Sequence, residues 1–313
     1  MSMQSGRVDR PLSHMMVRTV TRKLPAPVKL RNCGESLHAL VTGDSMRLLP
    51  LIPSTSIHLI ITDPPYNRGL NYGAFKDRLQ KEAYYEMCRT WLRECARILR
   101  NDGTMYLISY PEINARLLPF IEDDLGMRFR RWITWHYPTN IGHSKRNFTR
   151  SQRSILFFTK SDEYTFNRLE IIQHYKNPEV SKVKKRIMNG SAGRTAYDFL
   201  HFLDLVELDK GMVDTLAINL LKNVSKDRLN GLHPCQLPFQ LLRILVRVSS
   251  NPGDTLLDPF AGTFALASVA CELGRDSIGI ELNPDYIPLG LKRIADCQQT
   301  RLSVPSVPKV ELG

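Results

Sequence analysis

The sequence predicts an α/β fold in which a mostly parallel, twisted sheet carries helices on both faces. Short β-branched apolar runs alternate with segments of helical periodicity along most of the chain. The runs are apolar at consecutive positions, which is typical of parallel strands buried on both faces. In a chain of 313 residues, 42% hydrophobic and 24% charged residues are ordinary for a globular protein. A fibrous or wholly disordered chain is therefore excluded.

The first clear strand is the run Ile57 to Thr62, which leads directly into Asp63-Pro64-Pro65-Tyr66. Apolar residues at helical spacing then predict a helix over 81–100, closed by Asn101-Asp102-Gly103 because glycine readily ends a helix. Further strands are predicted at 104–109, 132–136, 154–159, 255–258 and 277–281. Further helices are predicted at 113–125, 238–249, 264–273 and 284–297.

The periodicity breaks down between about residues 162 and 215, where the sequence is polar, rich in lysine and contains glycine. This change indicates an insertion into the main domain. The predicted segments are an N-terminal arm (1–31), a first half of the domain (32–161), the insertion (162–215), a second half (216–299) and a flexible tail (300–313).

Basic residues are concentrated in three segments of the chain. The 43 Lys and Arg residues exceed the 31 acids, giving a net charge of +12. Residues 1–31 contribute +6, 128–160 contribute +8 and 161–194 contribute +3. A mildly acidic body with basic segments suits a polyanion partner, because each cation at a phosphate releases counterions. A merely solubilising surface is the alternative.

The six cysteines include no Cys-x-x-Cys pair, so we expect neither a metal site nor a compact disulfide framework. A reduced, cytoplasmic protein is the default expectation. No apolar run approaches the roughly 18 residues that a membrane span requires, so no membrane partner is expected.

Two strand ends carry residues suited to chemistry, and in a parallel sheet such ends collect ligands. One is Asp258-Pro259-Phe260-Ala261-Gly262-Thr263, in which a strand enters a tight loop and then a helix. Glu281 ends the next strand, at the spacing where an acid reaches the hydroxyls of a ribose. Together they predict a nucleoside ligand, although an ordinary connection followed by a surface glutamate would look similar.

The other strand end, Asp63-Pro64-Pro65-Tyr66, is more specific. Consecutive prolines fix the backbone and remove two N–H donors, which leaves their carbonyls as rigid acceptors. Asp63 and the Pro64 carbonyl can accept both N–H bonds of an exocyclic amine while Tyr66 stacks on its ring. Holding both hydrogens in this way favours a pyramidal nitrogen whose lone pair can attack a methyl group in line.

These residues resemble the S-adenosylmethionine-dependent DNA methyltransferases that modify exocyclic amino groups, at adenine N6 or cytosine N4. The Asp-Pro-Pro-Tyr motif precedes the cofactor loop, as in the beta group of that family. Gly43-Asp44-Ser45 and His233-Pro234-Cys235-Gln236 match family landmarks in position. The resemblance implies a Rossmann-like methyltransferase fold, with 32–161 as the catalytic half, 162–215 as the target-recognition region and 216–299 as the cofactor-binding half.

The resemblance implies Asp63, Pro64, Pro65 and Tyr66 as catalytic residues and S-adenosylmethionine as the cofactor. Its implied binding residues are Asp44, Asp258, Phe260, Ala261, Gly262, Thr263, Glu281 and Asn283. Two positions depart from the family pattern: Phe264 replaces a second glycine and Leu237 replaces a lysine. Phe264 would crowd the cofactor or force the loop onto another path.

The resemblance also implies double-stranded DNA as the partner, with a target base flipped out of the duplex. The candidate DNA contacts are Arg131, Asn140, Lys145, Arg146, Arg150, Lys184 and Lys185, because basic side chains hold phosphates and Asn140 could cap the base. More widely, it implies a prokaryotic, nucleoid-associated enzyme, monomeric or homodimeric, with a possible cognate restriction enzyme.

Adenine N6 is the favoured target because Asp at the first motif position is more typical of adenine enzymes, and cytosine N4 remains the alternative. A DNA-binding homologue without useful turnover and a methyltransferase acting on RNA or protein amides are further alternatives. Pro234-Cys235-Gln236 matches the triplet of cytosine C5 methyltransferases, but it lacks the other C5-type motifs nearby, so we interpret Cys235 as a neutral filler.

Overall fold

The computed structural model describes residues 11–69, 77–136, 145–175, 177–200 and 237–303. Its strands are β1 (Val28–Cys33), β2 (Ser36–Thr42), β3 (Ile57–Thr62), β4 (Leu99–Ser109), β5 (Arg128–His136), β6 (Gln152–Thr159), β7 (Ile172–Gln173), β8 (Arg194–Thr195), β9 (Phe199–Leu200), β10 (Thr255–Asp258) and β11 (Asp276–Glu281). Nine of them form one sheet in the order β1-β2-β11-β10-β3-β4-β6-β5-β9.

The centre of this sheet is parallel, as the apolar runs predict. Strands β2, β11, β10, β3 and β4 are parallel neighbours, whereas β1 pairs antiparallel with β2 and β6 pairs antiparallel with β4 and β5. The α/β prediction with a mostly parallel sheet is therefore confirmed. We call the edge where β3, β10 and β11 end the carboxyl edge, and the opposite one the amino edge. Because β6 runs in reverse, its first residues lie at the carboxyl edge.

Helices cover both faces of the sheet. They are α1 (Pro11–Lys23), α2 (Ser45–Leu48), α3 (Lys81–Ile98), α4 (Pro111–Pro119), α5 (Ser181–Met188), α6 (Phe239–Ser249), α7 (Ala265–Leu273) and α8 (Ile287–Ser303). Helices α1, α3 and α4 bury apolar residues against one face, while α6 and α7 cover the other. Helix α8 packs on α7 beside β1 and β2. Burial of these apolar stripes is the main force that holds the layers together.

The prediction of an N-terminal arm over 1–31 is wrong for the described residues from Pro11 onward. Val17 and Val20 of helix α1 and Leu24, which directly follows it, are buried in the core, and β1 extends the sheet. These three residues lie at i, i+3 and i+7, so they form one apolar stripe. Basic residues surround this stripe in the sequence, so the segment was predicted to be a charged arm and not a buried helix. Residues 1–10 lie outside the described residues.

Two predicted helix boundaries are also corrected. Helix α3 ends at Ile98, and Asn101-Asp102-Gly103 lies within β4 instead of closing the helix. The reason is a register shift: Ile57 pairs with Leu99, but Leu59 pairs with Thr104, so the triplet is the irregular part of the strand. The helix predicted over 113–125 begins earlier, with Pro111 in its first turn, and becomes a π-helix over Phe120–Asp124.

The described part of the 162–215 segment contains short elements only. These are a 3-10 turn (Arg168–Ile171), the β7–β8 pair, helix α5 and β9, which joins the edge of the main sheet beside β5. Residues 201–215 lie outside the described residues, and the boundaries of this insertion remain predictions. Helix α8 extends into the segment predicted as a tail and ends at Ser303.

One covalent link was not expected from the sequence. Cys33 at the end of β1 and Cys271 in α7 form a disulfide, and the sulfur of Cys297 lies within 4.8 Å of both. The two bonded cysteines are 238 residues apart, so their sequence spacing carries no signal. No helix in the described ranges combines the length and the apolar character needed to cross a bilayer.

Candidate active site

A cavity of about 480 Å³ opens at the carboxyl edge, where the two motif-bearing strand ends meet. The loop after β2, the loop after β3, the loop after β10 and the end of β11 all contribute to its wall. Of the residues predicted from the sequence, it is lined by Asp44, Asp63, Pro64, Pro65, Tyr66, Asp258, Phe260, Ala261, Gly262, Thr263 and Glu281. The parallel order of β3, β10 and β11 brings these separate motifs into one site.

The Asp63-Pro64-Pro65-Tyr66 loop is held rigidly above β3. The Tyr66 hydroxyl donates to Asp63 Oδ1, which keeps the ring beside the carboxylate. The hydroxyl of Tyr84 on α3 donates to the Pro65 carbonyl at 2.9 Å and anchors the loop to the helix. Tyr66 is only 2% exposed although it lines the cavity. The motif is thus a preformed wall of the cavity.

The loop after β10 is organised by carboxylates that accept backbone N–H groups. Asp258 Oδ1 accepts from Phe260 N at 3.0 Å. Glu281 accepts from Gly262 N at Oε2 and from Asn283 N at Oε1, both at 2.8 Å. Each carboxylate oxygen can accept a second hydrogen bond, so Glu281 remains able to hold hydroxyl groups of a ligand.

Phe264, which replaces a glycine of the family pattern, does not crowd the cavity, because its side chain is buried in the core and is absent from the cavity lining. Its backbone is left-handed at φ 59°, and its side chain is 1% exposed in the core beside Leu40 and Ala267. Two glycines make room for the ring. A Cβ on Gly279 would lie 2.7 Å from Phe264 Cδ1, and one on Gly290 would lie 2.6 Å from Cδ2.

The cavity is strongly acidic. Its described lining includes the carboxylates of Asp44, Asp63, Asp258 and Glu281 and no Lys, Arg or His. Burial raises the pKa of Asp63 to about 7, against the opposing charge of Arg153. Burial also raises the pKa of Asp258 to about 8, and the charges of Asp63 and Glu281 add to this rise. Because buried acids repel one another, a cationic ligand would be stabilised here.

This donor set fits S-adenosylmethionine, which carries a positive sulfonium and an ammonium group. The acids supply the negative charge, Glu281 can accept from ribose hydroxyls, and Phe264 does not obstruct the space. Asp44 lies in the wall and also caps α2 by accepting from Met46 N at 2.9 Å. Asn283 is not among the residues that line the cavity; its side chain accepts from Asp285 N and its backbone N–H donates to Glu281.

Several lining residues were not predicted from the sequence. The apolar part of the wall comes from Leu79, Ala83 and Met87 beside the catalytic loop and from Leu242, Ala265, Leu266, Ile280 and Leu282 beside the cofactor loop. Ala83 and Met87 lie one helical turn apart, a spacing that could have indicated a shared face. Leu237, which replaces the lysine of the family pattern, also lines the cavity and adds apolar surface in place of a charge.

The predicted DNA contacts that the structure describes lie on different elements of the fold. Lys145 and Arg146 are exposed, and Arg150 lies at the carboxyl edge over the Tyr110 ring. Arg131 is 64% exposed, but it lies farther down β5 and pairs with Asp198 at 3.7 Å. Lys184 and Lys185 are exposed on α5. Asn140 and Cys235 lie outside the described residues.

Comparisons with known proteins agree with this site. The model of the DNA methylase family, which covers N6 and N4 enzymes, matches residues 57–292. The Type II methyltransferase M.HpaI of Haemophilus parainfluenzae is 33% identical over 82% of this chain and 73% of its own. The DNA adenine methyltransferase YhdJ of Escherichia coli K12 is 30% identical over 83% of this chain and 84% of its own.

A solved structure shares the fold at low identity. The cytosine-N4-specific PvuII DNA methyltransferase superposes with a TM-score of 0.58 at 17% identity, covering 85% of this chain and 92% of its own. The family match spans both strand ends that line the cavity. The chain therefore belongs to the N6/N4 DNA methylase family and is an S-adenosylmethionine-dependent DNA methyltransferase.

Proposed function

We propose that this enzyme methylates the N6 amino group of adenine at a specific site in double-stranded DNA, using Asp63, Pro64 and Tyr66. The observation that carries the proposal is the continuity of the acidic cavity with the Asp63 loop. A base that reaches this loop meets a carboxylate, a rigid carbonyl and an aromatic ring within four residues.

In the proposed mechanism, the Asp63 carboxylate and the Pro64 carbonyl accept the two N–H bonds of the target amine. Tyr66 contacts the base ring and, through its hydroxyl, keeps the Asp63 carboxylate in place. S-adenosylmethionine supplies an electrophilic methyl group when it is bound. Asp63, with its pKa near 7, can take up the proton that the nitrogen loses as its bond to carbon forms.

The residues proposed to hold the cofactor are Asp44, Asp258, Phe260, Gly262 and Glu281. Their carboxylates offset the positive charges, and Glu281 accepts from the ribose hydroxyls. The burial of Phe264 supports an active enzyme, since the residue that departs from the family pattern leaves the cavity open. This weighs against the alternative of a DNA-binding homologue without turnover.

Adenine N6 is favoured over cytosine N4 by the Asp that begins the motif and by the resemblance to YhdJ, an adenine enzyme at 30% identity. The likeness to the cytosine-N4 enzyme, at 17% identity, concerns the fold alone. The proposal includes a cognate restriction enzyme, supported by the likeness to a Type II methyltransferase, and a monomer or homodimer in the bacterial nucleoid.

The test is mass spectrometry of nucleosides from a host that expresses the protein. We expect N6-methyladenine in its DNA and none in the DNA of a host that expresses Asp63→Ala. N4-methylcytosine alone would replace the adenine assignment by the alternative. Methylation of RNA alone would overturn the choice of DNA as the substrate.

A further inference from the structure

Arg153 is a buried cation at the edge of the active site. It lies on β6 opposite Trp135, at the carboxyl edge, and is 5% exposed. Its sequence neighbourhood, with Lys145, Arg146 and Arg150, groups it with residues expected to hold phosphates. Its burial excludes that role, because a phosphate contact must be reachable from the surface.

The guanidinium of Arg153 contacts two tyrosine rings. Its Cζ lies 4.7 Å from the centroid of Tyr66 and 4.5 Å from that of Tyr110. The two ring centroids are 4.8 Å apart, with planes tilted by 52°. A cation over an aromatic face is stabilised by the ring quadrupole, and more strongly where water is excluded. Arg153 therefore restrains the ring that is proposed to contact the base.

Tyr110 also contacts Arg150. The Cζ of Arg150 lies 4.0 Å from its centroid, and Arg150 forms two hydrogen bonds to Glu112, at 3.1 and 2.8 Å. This second cation is fixed by a carboxylate that also pairs with Arg68. Of the two, Arg153 is the cation that contacts Tyr66, and its charge acts on Asp63.

We propose that Arg153 is a positioning residue for methyl transfer, which orients Tyr66 through its planar guanidinium and keeps Asp63 an acceptor through its charge. This inference rests on the proposed function, because it assigns Asp63 and Tyr66 the roles given above. It adds a residue from β6, a strand that contributes no residue to the cavity wall.

The electrostatic part of this role depends on several charged and polar groups among the described residues around Asp63. Arg153 approaches from β6, Asp258 from β10 and the Tyr66 hydroxyl from the same loop, with Glu281 on β11 acting on Asp258. Burial favours the protonated form of Asp63, whereas the positive charge of Arg153 favours the ionised form. Loss of the Arg153 charge must raise the pKa of Asp63 above its value of about 7.

Two substitutions separate charge from planarity. Arg153→Gln keeps a planar group without charge, and Arg153→Lys keeps the charge without the plane. The experiment measures the single-turnover rate of methyl transfer to an oligonucleotide duplex against pH. Arg93→Met, which removes an exposed cation on α3, is the control.

We expect Arg153→Gln to move the acidic limb of the profile upward by about one pH unit. We expect Arg153→Lys to leave the limb in place and lower the plateau rate by about tenfold, since Tyr66 loses its planar contact. Arg93→Met should leave both unchanged. An unshifted limb in Arg153→Gln, or an unchanged plateau in Arg153→Lys, would refute the corresponding part of the proposal.

Calorimetry with S-adenosylmethionine distinguishes these outcomes from misfolding, because Arg153 does not line the cavity and a folded variant should bind normally. If Arg153→Gln fails this check, Arg153→Met serves as the second neutral variant. A wild-type protein that methylates no nucleic acid would overturn the proposed function. Normal wild-type transfer with unaltered variants would overturn this inference alone.

Discussion

The two ends of the β5–β6 pair carry the same residue type in opposite settings. At the amino edge, Arg128 and Arg130 both pair with Asp162, at 3.2 and 2.7 Å, and this acid is exposed. At the carboxyl edge, Arg153 is buried against Tyr66 and Tyr110. All three arginines belong to the segment that contributes +8 to the charge. A charge count therefore identifies a basic segment but does not say which of its cations act in the site.

The largest expected difference between the two edges is the effect on methyl transfer of removing an acid from each. Asp63→Asn should lower the rate of methyl transfer by about 10³-fold, because the negative charge that stabilises the developing positive charge is lost. The matched variant Asp162→Asn, at the amino edge, should retain the wild-type rate. Radiolabelled methyl transfer to duplex DNA measures both. Equal losses in the two variants would contradict the contrast between the edges.

The second expected effect is a pH dependence set at the carboxyl edge. Asp63 has its pKa raised to about 7, so its acceptor form is lost as the pH falls below that value. The transfer rate should rise about tenfold in total between one pH unit below this pKa and one pH unit above it. Asp162, whose pKa is lowered by its hydrogen bond to Arg130, titrates outside this range. The acidic limb of the pH–rate profile should therefore persist in Asp162→Asn.

A smaller effect is expected on DNA binding. Arg150→Gln should weaken duplex binding several-fold, up to about tenfold, and reduce the slope of log affinity against log salt by about one. Arg128→Gln, the amino-edge control, should change neither quantity. Fluorescence anisotropy over a salt series measures both. An unchanged slope in Arg150→Gln would remove that residue from the proposed DNA contacts.

The smallest effect is expected on stability at the amino edge. Asp162→Asn breaks two exposed ion pairs, which contribute little in water, so Tm should fall by less than about 4 °C. Differential scanning calorimetry measures this change. A larger fall would mean that the amino-edge cluster is structurally as important as the buried group around Arg153.

The sequence predicts well those features that depend on neighbouring residues. The strand at 57–62 is found where it was predicted because a continuous apolar run needs no distant partner to be recognised. The Asp63 and Asp258 motifs are likewise local. Their convergence follows from the parallel order of the strands, so the alternation of strands and helices is enough to predict a shared cavity.

Features that depend on distant residues could not be predicted in this way. Phe264 leaves the cavity open only because Gly279 and Gly290 accept its ring. The burial of Arg153 on β6 depends on Tyr66 and Tyr110, which follow β3 and β4, and no local pattern distinguishes it from Arg146. The domain boundaries, like the role of Asn140, remain predictions.

The packing of the Phe264 ring against Gly279 and Gly290 determines which substitutions this part of the enzyme can accept. A ring that fills a space left by two glycines couples three positions, so replacing Phe264 with glycine alone would leave a void behind the cofactor loop. Conversely, Phe264, Gly279 and Gly290 lie outside the cavity lining but set the shape of the loop that lines it. Protein engineers who want the enzyme to accept bulkier methyl-donor analogues can therefore reshape the loop from behind without substituting a residue of the cavity wall.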